Sequence, residues 1–246
     1  MRAPAVRLAA TLLACTASGA AYADPGYYLV TPYDEAGQVK LELRYWTVQN
    51  RDRRRVDWPE LGIGYGVTPR WTTELLPSYI RTLGATGTTL SSLNWQNDLM
   101  LTQGQFDVDI ALHTLLVRNY AAGSANAFEF GPSLQYDLDR FRFNGNVIFE
   151  RSMGEAVHRP VQLKLQGQVN YRWRPALQFG WQGFAELGDW NQRPTAARRS
   201  VRMGPVVSGN FPLGGSENLY YQVAVLNGRV FNRPGRMMTA RLMYSF

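Results

Sequence analysis

A two-residue period constrains this chain more than any other feature. From residue 39 onward, apolar and polar side chains alternate in segment after segment. That is the repeat of a β-strand with two unlike faces, not the 3.6-residue repeat of a helix. Val39, Leu41, Leu43, Tyr45 and Thr47 share one face, with Lys40, Glu42 and Arg44 on the other. Phe106, Val108, Ile110, Leu112 and Leu116 alternate with Asp107, Asp109, Ala111 and His113. Val161, Leu163, Leu165, Val169, Tyr171 and Trp173 alternate with Gln162, Lys164, Gln166, Gln168, Asn170 and Arg172. Beyond the first 23 residues there is no helical period and no apolar run of the roughly 20 residues a membrane helix requires.

The alternation predicts twelve strands, near residues 39–49, 58–67, 71–81, 91–101, 106–118, 128–138, 141–151, 160–173, 176–190, 199–211, 219–230 and 236–246. Most are long enough for a tilted strand to cross a bilayer. The connections after odd-numbered segments are long. Those after even-numbered segments are short, except residues 211–218. A transmembrane barrel with long outside loops and short periplasmic turns has this asymmetry, and an even strand count returns both termini to one side. Ten strands is the alternative if the weaker segments are discounted. A soluble sandwich or lipocalin-like barrel also alternates, but its strands average five or six residues, and here the apolar face is uniform and aromatic-rich. The expected fold is therefore all-β: a transmembrane antiparallel up-and-down β-barrel of about twelve strands with periplasmic termini. Pro77, Pro132 and Pro205 fall inside predicted strands, where proline removes a ladder donor, and Asn97 falls on the outward face.

The two ends agree with export. Arg2 and Arg7 precede an uncharged stretch over residues 8–21, and Ala21-Tyr22-Ala23 has the small-x-small pattern of a cleavage site. Residues 1–23 read as a signal peptide, 24–37 as an N-terminal periplasmic segment long enough to enter a lumen as a plug, and 38–246 as the barrel. Leu12-Leu13-Ala14-Cys15 loosely matches a lipoprotein box, the competing reading. The last strand ends Leu242-Met243-Tyr244-Ser245-Phe246, similar to the signal read by the barrel assembly machinery. Cys15 is the only cysteine, so no disulfide framework is possible. The formal charge is +7. Export argues against nucleic acid as the partner of such a basic chain and favours outer-membrane lipids and the phosphates of lipopolysaccharide.

The run Gly64-Tyr65-Gly66-Val67-Thr68-Pro69-Arg70-Trp71, with Phe130-Gly131-Pro132-Ser133-Leu134-Gln135-Tyr136 further on, resembles outer-membrane barrels described as channels of the phenol-degradation meta pathway (MetA-pathway). The resemblance is strongest over residues 37–150 and implies a channel-like barrel. It brings no binding residue and no substrate.

Strand parity points Asp98, Asp107, Asp109, His113, Glu129, Asp137, Arg142, Glu150, Lys164, Arg172, Glu186, Arg202 and Arg241 into the lumen. A short turn at 102–105 would set Asp98 nearly opposite Asp109, with Asp107 on the diagonal. Clustered carboxylates bind cations or shift their pKa values, although pairing with lumenal arginines is the simpler reading. Asp137 and Arg142 should face each other across a hairpin as an ion pair. Such a lumen is mixed in sign and has no obvious ionic selectivity. The basic loop Arg51, Arg53, Arg54 and Arg55 is either a solvated loop or a grip on lipopolysaccharide phosphates, which arginine binds bidentately. Trp46, Trp58, Trp71, Trp95, Trp173 and Trp190 suit aromatic girdles. Barrel acyl hydrolases resemble one another in a His-x-Ser strand motif. Neither His113 nor His158 has that serine, so no catalytic residues are assigned. No metal-ligand spacing or nucleotide fingerprint occurs, and no cofactor is expected. These features predict a small channel for passive passage of small solutes of unknown identity. A closed structural or partner-binding barrel is the alternative, and a lipid-modifying enzyme comes third.

Overall fold

The computed structural model describes residues 27–32, 35–50, 55–82, 87–121, 123–154, 160–192, 195, 199–230 and 232–246. Twelve strands run in chain order: β1 (Val39–Asn50), β2 (Val56–Thr68), β3 (Trp71–Thr82), β4 (Thr89–Met100), β5 (Val108–Asn119), β6 (Asn126–Leu138), β7 (Phe141–Met153), β8 (Gln162–Arg174), β9 (Leu177–Asp189), β10 (Ser200–Gly214), β11 (Glu217–Val230) and β12 (Arg233–Ser245). Each pairs antiparallel with its sequence neighbours, and β1 pairs with β12 to close the barrel. Closure leaves no unpaired sheet edge, as a membrane requires of strands.

Parity sorts the side chains as the alternation demands. Leu41, Leu61, Ile63, Trp95, Phe179, Trp181 and Met203 stand exposed on the outside. Their interleaved neighbours Glu42, Glu60, Gln96, Asn170, Gln182 and Arg202 are buried inside. A surface with this much exposed apolar area around its whole circumference is stable only against lipid. Polar outward groups are satisfied locally: Trp71 Nε1 donates to Asn97 Oδ1 at 3.2 Å, and Trp95 Nε1 to Thr73 Oγ1 at 2.9 Å. The outward glycines Gly145, Gly167 and Gly183 lie side by side across β7, β8 and β9.

All twelve predicted strands are present, and three of their connections differ from expectation. The β4–β5 turn spans residues 101–107, longer than the expected 102–105. It is tied at its base: Thr102 Oγ1 accepts from Ile110 N at 2.8 Å, Asp109 Oδ1 accepts from Gly104 N at 3.2 Å, and Gly104 has φ +74°. Phe106 and Asp107 consequently project from the turn, exposed, so Asp107 does not line the lumen. The longer turn also shifts the register, setting Asp98 opposite His113 rather than Asp109. The β10–β11 connection, expected long, is only Gly215–Ser216. The strands run on through Pro212 and a bulge to Gly214 and Gly215, at φ +123° and +58°. The β11–β12 connection, also expected long, is residues 231–232, with Asn232 at φ +66°. The turn end carries connections 69–70, 101–107, 139–140, 175–176 and 215–216. The loop end carries 51–55, 83–88, 120–125, 154–161, 190–199 and 231–232. Residues 1–26, the expected signal peptide among them, lie outside the described residues.

Candidate functional site: the barrel lumen

The chain enters its own barrel. At the turn end, Gly37 (φ +78°) turns the backbone inward: its N–H donates to Gly66 O at 2.8 Å, and Gly66 N–H donates to Gln38 O at 3.0 Å. Gly66 has to be glycine, because a Cβ there would lie 2.0 Å from Glu35 O. Residues 27–30 then lie buried within the lumen. Val30 O accepts from Ser133 Oγ at 3.1 Å and Asn146 Nδ2 at 3.2 Å. Tyr28 Oη donates to Gln96 Oε1 at 2.6 Å, and the Arg44 guanidinium sits 3.6 Å above the Tyr28 ring. Tyr27 meets the Arg202 guanidinium at 4.2 Å and hydrogen-bonds to both Arg202 and Glu186. Each cation–π contact in so dry a place contributes about 1–2 kcal/mol.

The segment rests on a buried ionic cluster. Arg44 donates through Nε to Glu42 at 2.6 Å, and through its other nitrogens to Glu60 at 3.3 Å and Glu74 at 2.8 Å. Arg241 bonds Glu42 from the other side. Asn94 Nδ2 donates to the second Glu60 oxygen at 2.9 Å. Strand β2 makes room for this cluster: its inward positions after Glu60 are Gly62, Gly64 and Gly66. A Cβ at Gly62 would lie 2.8 Å from both Glu74 Oε1 and Leu76 Cδ2. The glycines of the GYGVTPRW run and the Gly62 before them thus hold space for charge and for the incoming segment.

Toward the loop end the interior becomes apolar. Trp46 is 2% exposed and stacks on Trp58 at 6.4 Å. Phe184, Val206, Ala224, Leu226 and Met237 pack with Trp46 around Tyr27, whose ring meets Phe184 edge-on at 5.6 Å. Trp46 and Trp58 therefore belong to the interior and not to an outward girdle, because they share parity with Glu42, Arg44 and Glu60. On the opposite wall Glu129 and Glu150 face each other across β6 and β7, bridged by Lys164 Nζ at 3.0 and 2.6 Å. Toward the turn end a cavity of about 200 Å³ remains, between residues 28–31 and the walls of β1, β3, β4 and β6–β12.

The structure places most of the anticipated lumenal residues inside and in pairs. His113 Nδ1 lies 2.6 Å from Asp98 Oδ1, and Gln96 Nε2 donates to Asp98 Oδ2 at 2.6 Å. The acid at 98 is thus partnered by histidine and amide instead of arginine. Glu186 pairs with Arg202 at 2.8 Å. Asp137 and Arg142 form the anticipated ion pair at 2.9 Å, joined by Arg172 at 3.2 Å, on the partly exposed turn-side rim. Asp109 is buried but holds the β4–β5 turn. Arg51, Arg53 and Arg54 lie outside the described residues. Arg55 donates to Asp57 at 2.8 Å, Thr47 at 3.1 Å and Tyr45 at 2.8 Å, so its guanidinium is engaged at the loop-side rim. The central residues Glu60 and Glu74 and the convergence of Arg44 on them were not foreseen. Their parity was readable, but their meeting depends on the register of β1, β2 and β3.

No family model matches the chain, and no curated protein matches it in sequence. Solved structures do share its architecture. An outer membrane channel from Pseudomonas putida F1 is 15% identical, with a TM-score of 0.60 over 91% of this chain and 99% of that one. The NanC porin is 12% identical, with a TM-score of 0.57 over 84% and 98%. The KdgM porin in complex with disordered oligogalacturonate is 10% identical, with a TM-score of 0.54 over 84% and 99%. At these identities the likeness establishes the fold: a twelve-stranded barrel of the outer-membrane type.

Proposed function

We propose that the protein is a small outer-membrane channel for passive passage of small solutes, turn end toward the periplasm, held shut by residues 27–31. The observation that carries this reading is that the barrel wall is complete without the segment occupying its lumen. Every strand is paired on both sides, while residues 27–31 add no strand, and wall side chains hold them through Tyr28 Oη and the Val30 carbonyl. Over its turn-side half the interior they leave is lined by polar groups, as a water path requires. The barrels of similar fold that are named as channels or porins support the same reading, and so does the resemblance of the GYGVTPRW hairpin to the phenol-degradation meta-pathway channels. Residues 1–23 would be the cleaved signal peptide, with the barrel assembly machinery completing export. Lipopolysaccharide would meet the arginine loop at residues 51–54.

The test is single-channel recording in planar bilayers of the mature protein beside Tyr27→Ala/Tyr28→Ala. Discrete steps, longer or larger in the double variant, are expected. A folded barrel without conductance in either form would favour the second reading, a closed scaffold. The apolar packing around Trp46 and the buried charges around Arg44 are the observations on that side.

A further inference from the structure

The outer wall of the barrel ends in cations along one rim. Strands β10, β11 and β12 turn Met203, Val223, Val225, Met238 and Leu242 outward, all exposed, as an apolar surface. At the loop end the same outward parity carries Arg199, Arg229 and Arg236, also exposed. Arg229 lies opposite Val201 and Pro234, and Arg236 lies opposite Asn227. The three arginines are therefore diagonal neighbours on adjoining strands, with Cβ atoms about 7–8 Å apart. The sequence beside them, residues 190–199 and 231–236, adds Arg193, Arg198 and Arg233 and contains no acidic residue.

Neutral groups hold these guanidinium ions. Arg229 Nη1 donates to Asn232 Oδ1 at 3.1 Å, and Arg236 Nε donates to Asn227 Oδ1 at 3.4 Å. Among the described residues, Arg199, Arg229 and Arg236 form no salt bridge, whereas Arg55 and Arg81 on the same rim share Asp57 at 2.8 and 3.0 Å. The only acid on β10–β12 is Glu217, which begins β11 at the turn end. The positive charge of this arc is therefore uncompensated at the loop end.

Position decides which anion fits. A charged side chain on the lipid face of a barrel is costly in mid-bilayer and nearly neutral at the interface, so the row belongs at headgroup level. From Arg236 to Met238 is two residues, about 7 Å of strand. A soluble phosphate would satisfy the arginines and leave the wall beneath them untouched. A lipid with several phosphates and several acyl chains meets both surfaces. Arginine grips phosphate bidentately, and the chains lie along Met203, Val225 and Met238.

We infer that the loop-end rim of β10–β12 binds a multiply phosphorylated glycolipid of the outer leaflet, of the lipid A type. The site is separate from the arginine loop at residues 51–54. It rests on the channel reading for its orientation, loop end outward.

Native mass spectrometry of the detergent-solubilised mature protein tests this, with bisphosphorylated lipid A, its monophosphorylated form and phosphatidylethanolamine as probes. Bisphosphorylated lipid A should be retained at least five-fold above either other lipid. Arg229→Gln/Arg236→Gln should lower its retention at least five-fold. The charge-matched pair Arg140→Gln/Arg174→Gln, exposed at the turn end, should leave it within two-fold. Heat-modifiable gel mobility confirms folding. If the first pair does not fold, Arg229→Lys/Arg236→Lys, which keeps the charge but loses the bidentate fork, should still lower retention at least two-fold. Equal loss in the turn-end pair would reduce the effect to net charge. Equal retention of all three lipids would reduce it to partitioning, and displacement by an equal concentration of inorganic phosphate to an anion site without lipid. Each of these overturns the inference. Orientation is read separately on intact cells, where Ala121→Cys at the loop end should react with an impermeant maleimide. Labelling without a lipid A preference sinks the lipid site and leaves the channel reading standing. Lipid A retention without labelling sinks the orientation on which both rest.

Discussion

Arg44 is the residue whose removal the structure prices most clearly. Its guanidinium is 2% exposed and contacts three carboxylates at 2.6, 3.3 and 2.8 Å. In Arg44→Met the side-chain volume is nearly kept, but Glu60 and Glu74 lose their cation, and Glu42 keeps only Arg241. Removing one partner of a buried ion pair costs about 3–5 kcal/mol, chiefly through the charge left behind. At roughly 1.4 kcal/mol per decade, the unfolding equilibrium moves by about two to three and a half orders of magnitude. Equilibrium urea unfolding in lipid vesicles, followed by tryptophan fluorescence and gel mobility, reads this as a lower midpoint. The companion variant Arg44→Met/Glu60→Gln/Glu74→Gln removes the stranded charges too and should recover at least ~2 kcal/mol. A loss below ~1 kcal/mol in the single variant, the range of an exposed pair, would refute the claim that the cluster is dry. So would a triple variant that sums its parts.

Other expectations follow from the same geometry. Trp46→Ala should destabilise by about 3–5 kcal/mol, as for a buried aromatic, measured in the same unfolding assay. Lys164→Met should remove the cation that bridges Glu129 and Glu150 and lower the unfolding midpoint, and adding Glu150→Gln should restore most of the loss. Asp137→Asn, at the partly exposed rim, should cost no more than ~1 kcal/mol and less as salt is raised. Gly66→Ala should push the 35–37 turn off β2, so its single-channel open time should lengthen as in Tyr27→Ala/Tyr28→Ala. An unchanged open time would show that the turn does not position the segment.

The wall of the barrel was legible in the sequence because each residue's face depends only on parity. Leu41 and Glu42 sort themselves without knowledge of any partner. The lumen was less legible because its chemistry depends on register. Glu42, Glu60 and Glu74 lie on three strands, and only the pairings Arg44↔Glu60 and Gly64↔Glu74 bring them together. The Asp98 environment was misjudged for the same reason. Phe106 continues the alternation of β5, but Thr102 and Asp109 bind the turn backbone and end the strand at Val108. Trp46 and Trp58 show the reverse: their parity pointed inward, and nearness to a strand end was the weaker guide.

The inward turn at Gly37 also constrains the order of events in folding. Residues 27–30 are joined through residues 31–38 to β1, one half of the seam that β1 and β12 close, where Val39 and Phe246 exchange backbone hydrogen bonds at 2.9 and 3.0 Å. Tyr27 and Tyr28 are buried among side chains from β1, β4, β9 and β10, so the seat that holds them is complete only once β1 has met β12 and the ring is shut.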